Sequence, residues 1–165
     1  LDVNKYVLDA NVFIEAARRY YAFDLAPKFW ESLVHYSERQ QISSIDRVKE
    51  ELDRGKDDLA DWASCEFHHA FASTNKQEIF TSYREIMNWV NNQDQFSSEA
   101  KSDFADSADG WLIAYAMVNE CIVVTHEAES HDIKRKVPIP NVCRQLNIQF
   151  VNTFEMLREL GVKFM

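Results

Sequence analysis

The sequence predicts an α/β fold with a central, mostly parallel sheet of four to five strands, on two observations. Short runs rich in branched residues recur along the chain, and longer stretches with helical periodicity fill the gaps between them. Strands that alternate with helices pair in parallel and are covered on both faces, so their C-terminal ends share one edge, where ligands bind. A length of 165 residues with 46% apolar and 13% aromatic content supports a sizeable core, and residues 1–165 are expected to form one domain.

The first strand is Tyr6 to Leu8, an apolar run that stops at Asp9 in "KYVLDANVFIEAARR". Pro27 opens a helix at the position where proline's missing amide does least harm, with Phe29, Trp30, Leu33 and Val34 as its apolar stripe. Ile42 to Ile45 is the second strand. The longest helix runs from Lys76 to Asn92 and presents Ile79, Phe80, Tyr83, Ile86, Met87 and Val90 on one face. The polar stretch from Asn91 to Asp103 that follows reads as a loop. Gly110 to Asn119 is apolar nearly all round and is expected to be a central buried helix. The remaining strands are Ile122 to Thr125 and Ile148 to Val151. Between them Ile139, Val142, Cys143 and Leu146 share one helical face. The last helix, Phe154 to Leu160, takes Thr153 as its N-cap and stops at Gly161.

Several function classes are disfavoured. Cys65, Cys121 and Cys143 are odd in number and form no C-x-x-C, so they read as reduced core residues instead of a disulfide framework or zinc knuckle. The glycines, Gly55, Gly110 and Gly161, build neither of the phosphate-cradling loops of dinucleotide and P-loop enzymes. "HEAESH" spaces His126 and His131 too widely to share a helical face as a zinc pair requires. A net charge of -9 argues against a broad basic surface wrapped on nucleic acid but leaves room for a small, metal-mediated phosphate contact. No stretch approaches the about 20 apolar residues of a membrane span, and the N-terminus lacks signal-peptide character, so a cytoplasmic location without a membrane partner is expected.

Four acids fall at or beyond the predicted strand ends: Asp9 after the first, Glu51 in the helix of "ISSIDRVKEEL", Asp109 at the start of the buried helix, and Glu127 in "CIVVTHE". Each has a plainer explanation alone. Asp9 or Asn11 would serve as a helix N-cap, the helix dipole would favour Asp109, and Glu51 and Glu127 would be ordinary solvated charges. Their joint placement is what no single explanation predicts. Carboxylates gathered at one edge repel one another unless a cation neutralises them, and hard oxygen ligands select Mg²⁺ or Mn²⁺.

The order of these motifs along nearly the whole chain resembles the PIN-domain ribonucleases. The first motif is "YVLDANVFIE"; the second pairs Ser44 with the "EEL" that carries Glu51; the third is "DGWLIAYA"; the fourth is Thr125-His126-Glu127. The segment "KVPIPNVCRQLNIQF" looks like a PIN-like subgroup with an I-P-x-V-C segment before the last strand. Two departures stand out: Glu127 replaces the family's usual aspartate, and the third motif has one extra position, so Asp106 is an alternative or additional ligand to the favoured Asp109.

The resemblance implies a PIN-like three-layer α/β/α fold in which Asp9, Asp109 and Glu127 hold Mg²⁺ or Mn²⁺ and Glu51 completes the catalytic set. Asn11, Ser44, Thr125 and Asp106 would support these ligands. The implied activity is hydrolysis of single-stranded or structured RNA to 5′-phosphate and 3′-hydroxyl ends. The implied role is the toxin of a type II toxin-antitoxin pair, with a cognate antitoxin as partner and a homodimer as a reasonable assembly. The basic runs Arg18-Arg19 and Lys134-Arg135-Lys136 flank the acid edge in sequence and are either solvated charge or phosphate contacts. An alternative is a catalytically weak PIN-like module that binds RNA or protein, which the two departures favour. A phosphatase of the haloacid dehalogenase type would need D-x-D, and Asn11 stands where its second acid would be.

Overall fold

The computed structural model describes residues 3–164. Strand β1 (Tyr6–Leu8) is enclosed on both faces, the environment in which a continuous apolar run replaces alternation. It lies at the centre of a five-stranded sheet with β2 (Ile42–Ile45), β3 (Phe71–Ala72), β4 (Ile122–Val124) and β5 (Phe150–Val151), in the order β3-β2-β1-β4-β5. Every pairing is parallel; Tyr6 lies opposite both Ile42 and Ile122, and Leu8 opposite Val124. The chain therefore moves outward from β1 in one direction through β2 and β3, then returns to β1's other side with β4. That reversal opens a crevice at the C-terminal ends of β1 and β4, the place where open α/β sheets bind ligands.

The expected α/β class with a parallel sheet of four to five strands is the class observed, in three layers. From β1 the chain enters α1 (Ala10–Glu15), which continues as a π-helical turn, Ala16–Tyr20. Helix α2 (Pro27–Glu38) carries Pro27 in its first turn and buries Phe29, Trp30 and Leu33. Helix α3 (Asp46–Asp53) follows β2 without a linker, and α4 (Asp58–Cys65) packs on it. Helix α5 (Gln77–Asn91) turns Ile79, Ile86 and Val90 inward, and its principal neighbour is α7 (Asp109–Asn119). Close to β5, α8 (Ile139–Gln145) precedes the strand and α9 (Thr153–Leu160) follows it.

Some expectations needed correction. The stretch from Asn91 to Asp103 is not all loop: Ser98–Asp106 forms α6, whose N-cap Ser97 accepts the Ala100 N–H at 3.0 Å and whose Ala100 and Phe104 are buried. Asn152, not Thr153, caps α9; its side chain takes the Glu155 N–H while the Glu155 carboxylate reaches back, a reciprocal box that leaves Thr153 inside the helix. The fourth predicted strand shortens to Phe150–Val151, and β3 had no counterpart in the prediction. Cys121 and Cys143 are buried, but Cys65 lies exposed at the end of α4. Helix α7 buries Leu112, Ile113, Ala114 and Ala116, whereas Val118 is exposed and Trp111 and Tyr115 are only half-covered.

Close packing of α7 depends on Gly110. A Cβ there would lie 2.9 Å from Tyr83 Cε1 and 3.1 Å from Phe104 Cε2, and the Tyr83 ring is fixed by stacking on Trp111 at 3.8 Å and 8°. Gly110→Ala is expected to destabilise the fold by about 1–3 kcal/mol, the usual range for overpacking. Urea unfolding followed by tryptophan fluorescence would show the fall in midpoint.

Candidate active site

Asp9 is the first residue beyond β1. Its backbone N–H continues the ladder to the Val124 carbonyl at 3.0 Å, so its side chain is delivered between the ends of β1 and β4. It occupies the N-cap position of α1 but makes no side-chain capping bond. Instead Oδ2 accepts a hydrogen bond from the Thr125 hydroxyl at 3.1 Å, and the residue is only 3% exposed. Thr125 Oγ1 in turn accepts the Glu127 N–H at 3.1 Å, so this threonine links the acids that follow the two central strands.

The two glutamates are each held at the start of a helix. Glu51 Oε1 accepts the N–H of Ala108, the residue that introduces α7, at 3.0 Å. Glu127 Oε1 accepts the N–H of Ile139, the first residue of α8, at 2.9 Å. Unpaired amides and the positive end of the helix dipole favour a carboxylate at such places. Glu127 Oε2 also lies 3.4 Å from the Lys136 ammonium.

Asp109 begins α7, where its own N–H donates to Ser107 Oγ at 3.2 Å, and its half-buried carboxyl belongs to the same electrostatic group. Burial pushes Asp9 up to about 7, helped by the charge of Glu127 and then Glu51, with the Thr125 hydrogen bond opposing. Burial also raises Asp109 well above the usual carboxylate range, with the charges of Asp9 and Glu127 adding to it and Lys136 opposing. Partial burial lowers Lys136, but the charges of Glu127 and Asp109 outweigh it and leave the ammonium raised. The charges of Glu51 and Glu127 thus bear on both aspartates, and that of Lys136 on Asp109.

The supporting residues divide. Thr125 contacts Asp9 directly, whereas the fully buried Ser44 donates to the Leu8 carbonyl at 2.7 Å and fixes the end of β1 one residue before the acid. Asn11 is exposed on α1, and among the described residues its side chain bonds none of the four acids. Asp106 is exposed at the end of α6 and acts electrostatically on Tyr83, not on the carboxyl group of the site. The basic runs also divide: Arg19 is exposed and paired with Glu15, while Lys136 enters the site. His126 lies between Tyr20 and Phe154 and bonds Thr153 Oγ1 through Nε2 at 2.9 Å. The amides of Ala108 and Ile139 had no sequence signal beyond the predicted start of each helix.

Among the described residues, no three His, Cys, Asp or Glu side chains already stand as a single coordination shell. The donors nevertheless fit a hard divalent cation. They are carboxylate oxygens, and burial, with the charges of neighbouring acids, raises Asp9 and Asp109, a penalty that a bound cation relieves.

A parallel α/β sheet of PIN-like architecture with carboxyl groups at its switch point defines the class. The chain belongs to the family DUF4411, a domain of unknown function, whose profile matches residues 6–164. No curated protein sequence matches it. Among solved structures it is similar to a chain of VapBC2 from Rickettsia felis, crystallised bound to a DNA fragment from its promoter, at a TM-score of 0.55 and 14% identity. The match covers 89% of this chain and 97% of that one.

Because Asp9 holds its proton in the fold to about pH 7 but would release it near 4 when unfolded, the native state binds more protons between these values. Stability of the metal-free chain should therefore fall as pH rises through that window and level off above it. Asp9→Asn is expected to flatten this slope and to keep or raise the melting temperature at pH 8, measured by circular dichroism in a chelator. A large fall would instead assign Asp9 a structural role through its bond to Thr125.

Proposed function

We propose that this protein is a Mg²⁺- or Mn²⁺-dependent endoribonuclease of PIN type. The observation that carries the reading is the pair of carboxyl groups at the switch point, buried Asp9 and half-buried Asp109, both raised by burial and by the charges of Glu127 and Glu51. A fold needs no such concentration of like charge. Asp9, Asp109 and Glu127 would hold the ion, and Glu51 would complete the set directly or through water. When bound, the ion supplies an activated water and stabilises charge on the phosphoryl and leaving oxygens.

The chain's own residues prepare this chemistry. Thr125 orients Asp9, while the helix amides of Ala108 and Ile139 orient the glutamates, so little reorganisation is left for the moment of reaction. Lys136 offsets part of the negative charge beside Glu127 and is placed to meet an incoming phosphate. The reading gives RNA as the substrate and ends carrying 5′-phosphate and 3′-hydroxyl as products. The likeness in fold to a chain of a VapBC2 complex supports a cytoplasmic toxin role with an antitoxin partner, and a homodimer is the assembly expected. An antitoxin would block the site best by presenting a basic side chain to these carboxylates.

A second reading, a PIN-like module with weak or no catalysis, is favoured by the Lys136–Glu127 pair, in which an ammonium already occupies one of the carboxylates. A single experiment separates the two. Wild type should cleave single-stranded RNA only with added Mg²⁺ or Mn²⁺, and Asp9→Asn should abolish the cleavage while leaving the circular dichroism spectrum unchanged. Equal activity in the two proteins would sink the nuclease assignment. Charge reversal of Lys134, Arg135 and Lys136 to glutamate should weaken RNA binding and reduce its dependence on salt.

A further inference from the structure

In the order of the sheet, the acid cluster lies between two basic side chains. The one on the β4 side is Lys136, paired with Glu127. On the β2 side stands Arg47, in the first turn of α3 and one helical turn before Glu51, so the two side chains share a face of that helix. Arg47 is held in unusual detail. Its guanidinium lies over the Trp111 ring, 3.8 Å from the centroid, and Nε donates to Thr74 Oγ1 at 3.1 Å. Thr74, just beyond β3 and 1% exposed, is fixed by Asp46: its hydroxyl and N–H donate to the two carboxylate oxygens at 2.9 and 3.1 Å. Trp111 is backed by Tyr83 in the stack that Gly110 makes room for.

In a chain with 27 acidic side chains, this guanidinium forms no ion pair among the described residues. The neighbouring carboxylate, Asp46, spends its oxygens on Thr74 and on the Arg47 backbone N–H. The terminal Nη donors are left uncommitted on a half-buried, pre-oriented planar fork. Such a fork matches two oxygens of one phosphate.

We propose that Arg47 is a phosphate-binding residue for the RNA strand, gripping a phosphodiester next to the one that lies over Asp9 and Asp109. The strand then runs along the C-terminal edge of the sheet from Arg47, across the carboxylates, to Lys136, and the two cations set its register. Contacts of this kind position a nucleic acid without reading its sequence. The inference rests on the ribonuclease reading for the identity of the strand.

The test measures binding of a fluorescein-labelled, mixed-sequence single-stranded 12-mer RNA to the full chain carrying Asp9→Asn, by anisotropy over a range of salt concentrations. Arg47→Gln in that background should lower affinity several-fold and reduce the slope of log K against log salt by about 0.7, the loss of one single-strand phosphate contact. Arg47→Lys should keep the slope while binding more weakly, because the charge remains and the fork is lost. Unchanged affinity and slope for Arg47→Gln, or weaker binding at the parental slope, would overturn the assignment while leaving the nuclease reading intact. If Arg47→Gln fails to fold, Arg47→Lys decides: parental affinity overturns the proposal. If the parental Asp9→Asn chain itself binds no RNA, the proposal falls, and cleavage by wild type judges the ribonuclease reading separately.

Discussion

The molecule is organised around the burial of Asp9 at the end of its central strand. A carboxyl group that is 3% exposed and close to three other acids is costly in a fold. The surroundings are arranged to contain that cost. Thr125 gives it a hydroxyl donor, Lys136 supplies a counter-charge nearby, and Glu51 and Glu127 are turned onto helix amides. The parallel sheet brings Asp9 and the residues that follow β4 together. With β1 flanked by β2 and β4, residues that follow those strands must emerge side by side.

Stability and the proposed chemistry therefore pull against each other in the same few residues. Removing Asp9's charge would ease the fold, yet the raised carboxyl groups are what would attract a divalent cation. Natural proteins hold such destabilised sites because the remaining core carries them. Here the core does so with an uninterrupted apolar cluster, from Tyr6 and Val7 on β1 through Ile113 on α7 to Met156 on α9. Within it, Phe13, Trp30, Trp62 and Phe67 pack ring against ring.

Much of this was legible in the sequence because it depends on short-range pattern. The apolar runs ending at Leu8 and Val124, the proline at the start of α2 and the apolar character of α7 each leave a local signature. Strand β3 did not, since two residues carry no periodicity. Helix α6 was hidden by its composition: "SEAKSDFAD" buries only Ala100 and Phe104, and its start depends on the Ser97 cap rather than an apolar stripe. At the site, the positions of Asp9 and Asp109 followed from strand and helix boundaries. The fixing of Glu51 and Glu127 did not, because their partners are backbone amides at the starts of other helices, 57 and 12 positions along the chain, which carry no side-chain signature. The separation of Asn11 and Asp106 from the carboxylates is likewise a matter of helix phase and direction, which motif order does not encode.

The pairing of β1 with β4 has a consequence for the order in which the chain matures. Tyr6 and Ile122 are register partners, and the Asp9–Thr125 hydrogen bond joins residues 116 positions apart. Contacts of such long sequence separation form late, after loop-closure entropy has been overcome. During synthesis, β1, β2 and β3 emerge well before β4, so Asp9 is made long before Glu127 and Thr125 can stand beside it. The unfavourable charge cluster is thus assembled only when the last half of the sheet docks. A chain that stops before β4 lacks the electrostatic burden of the completed site.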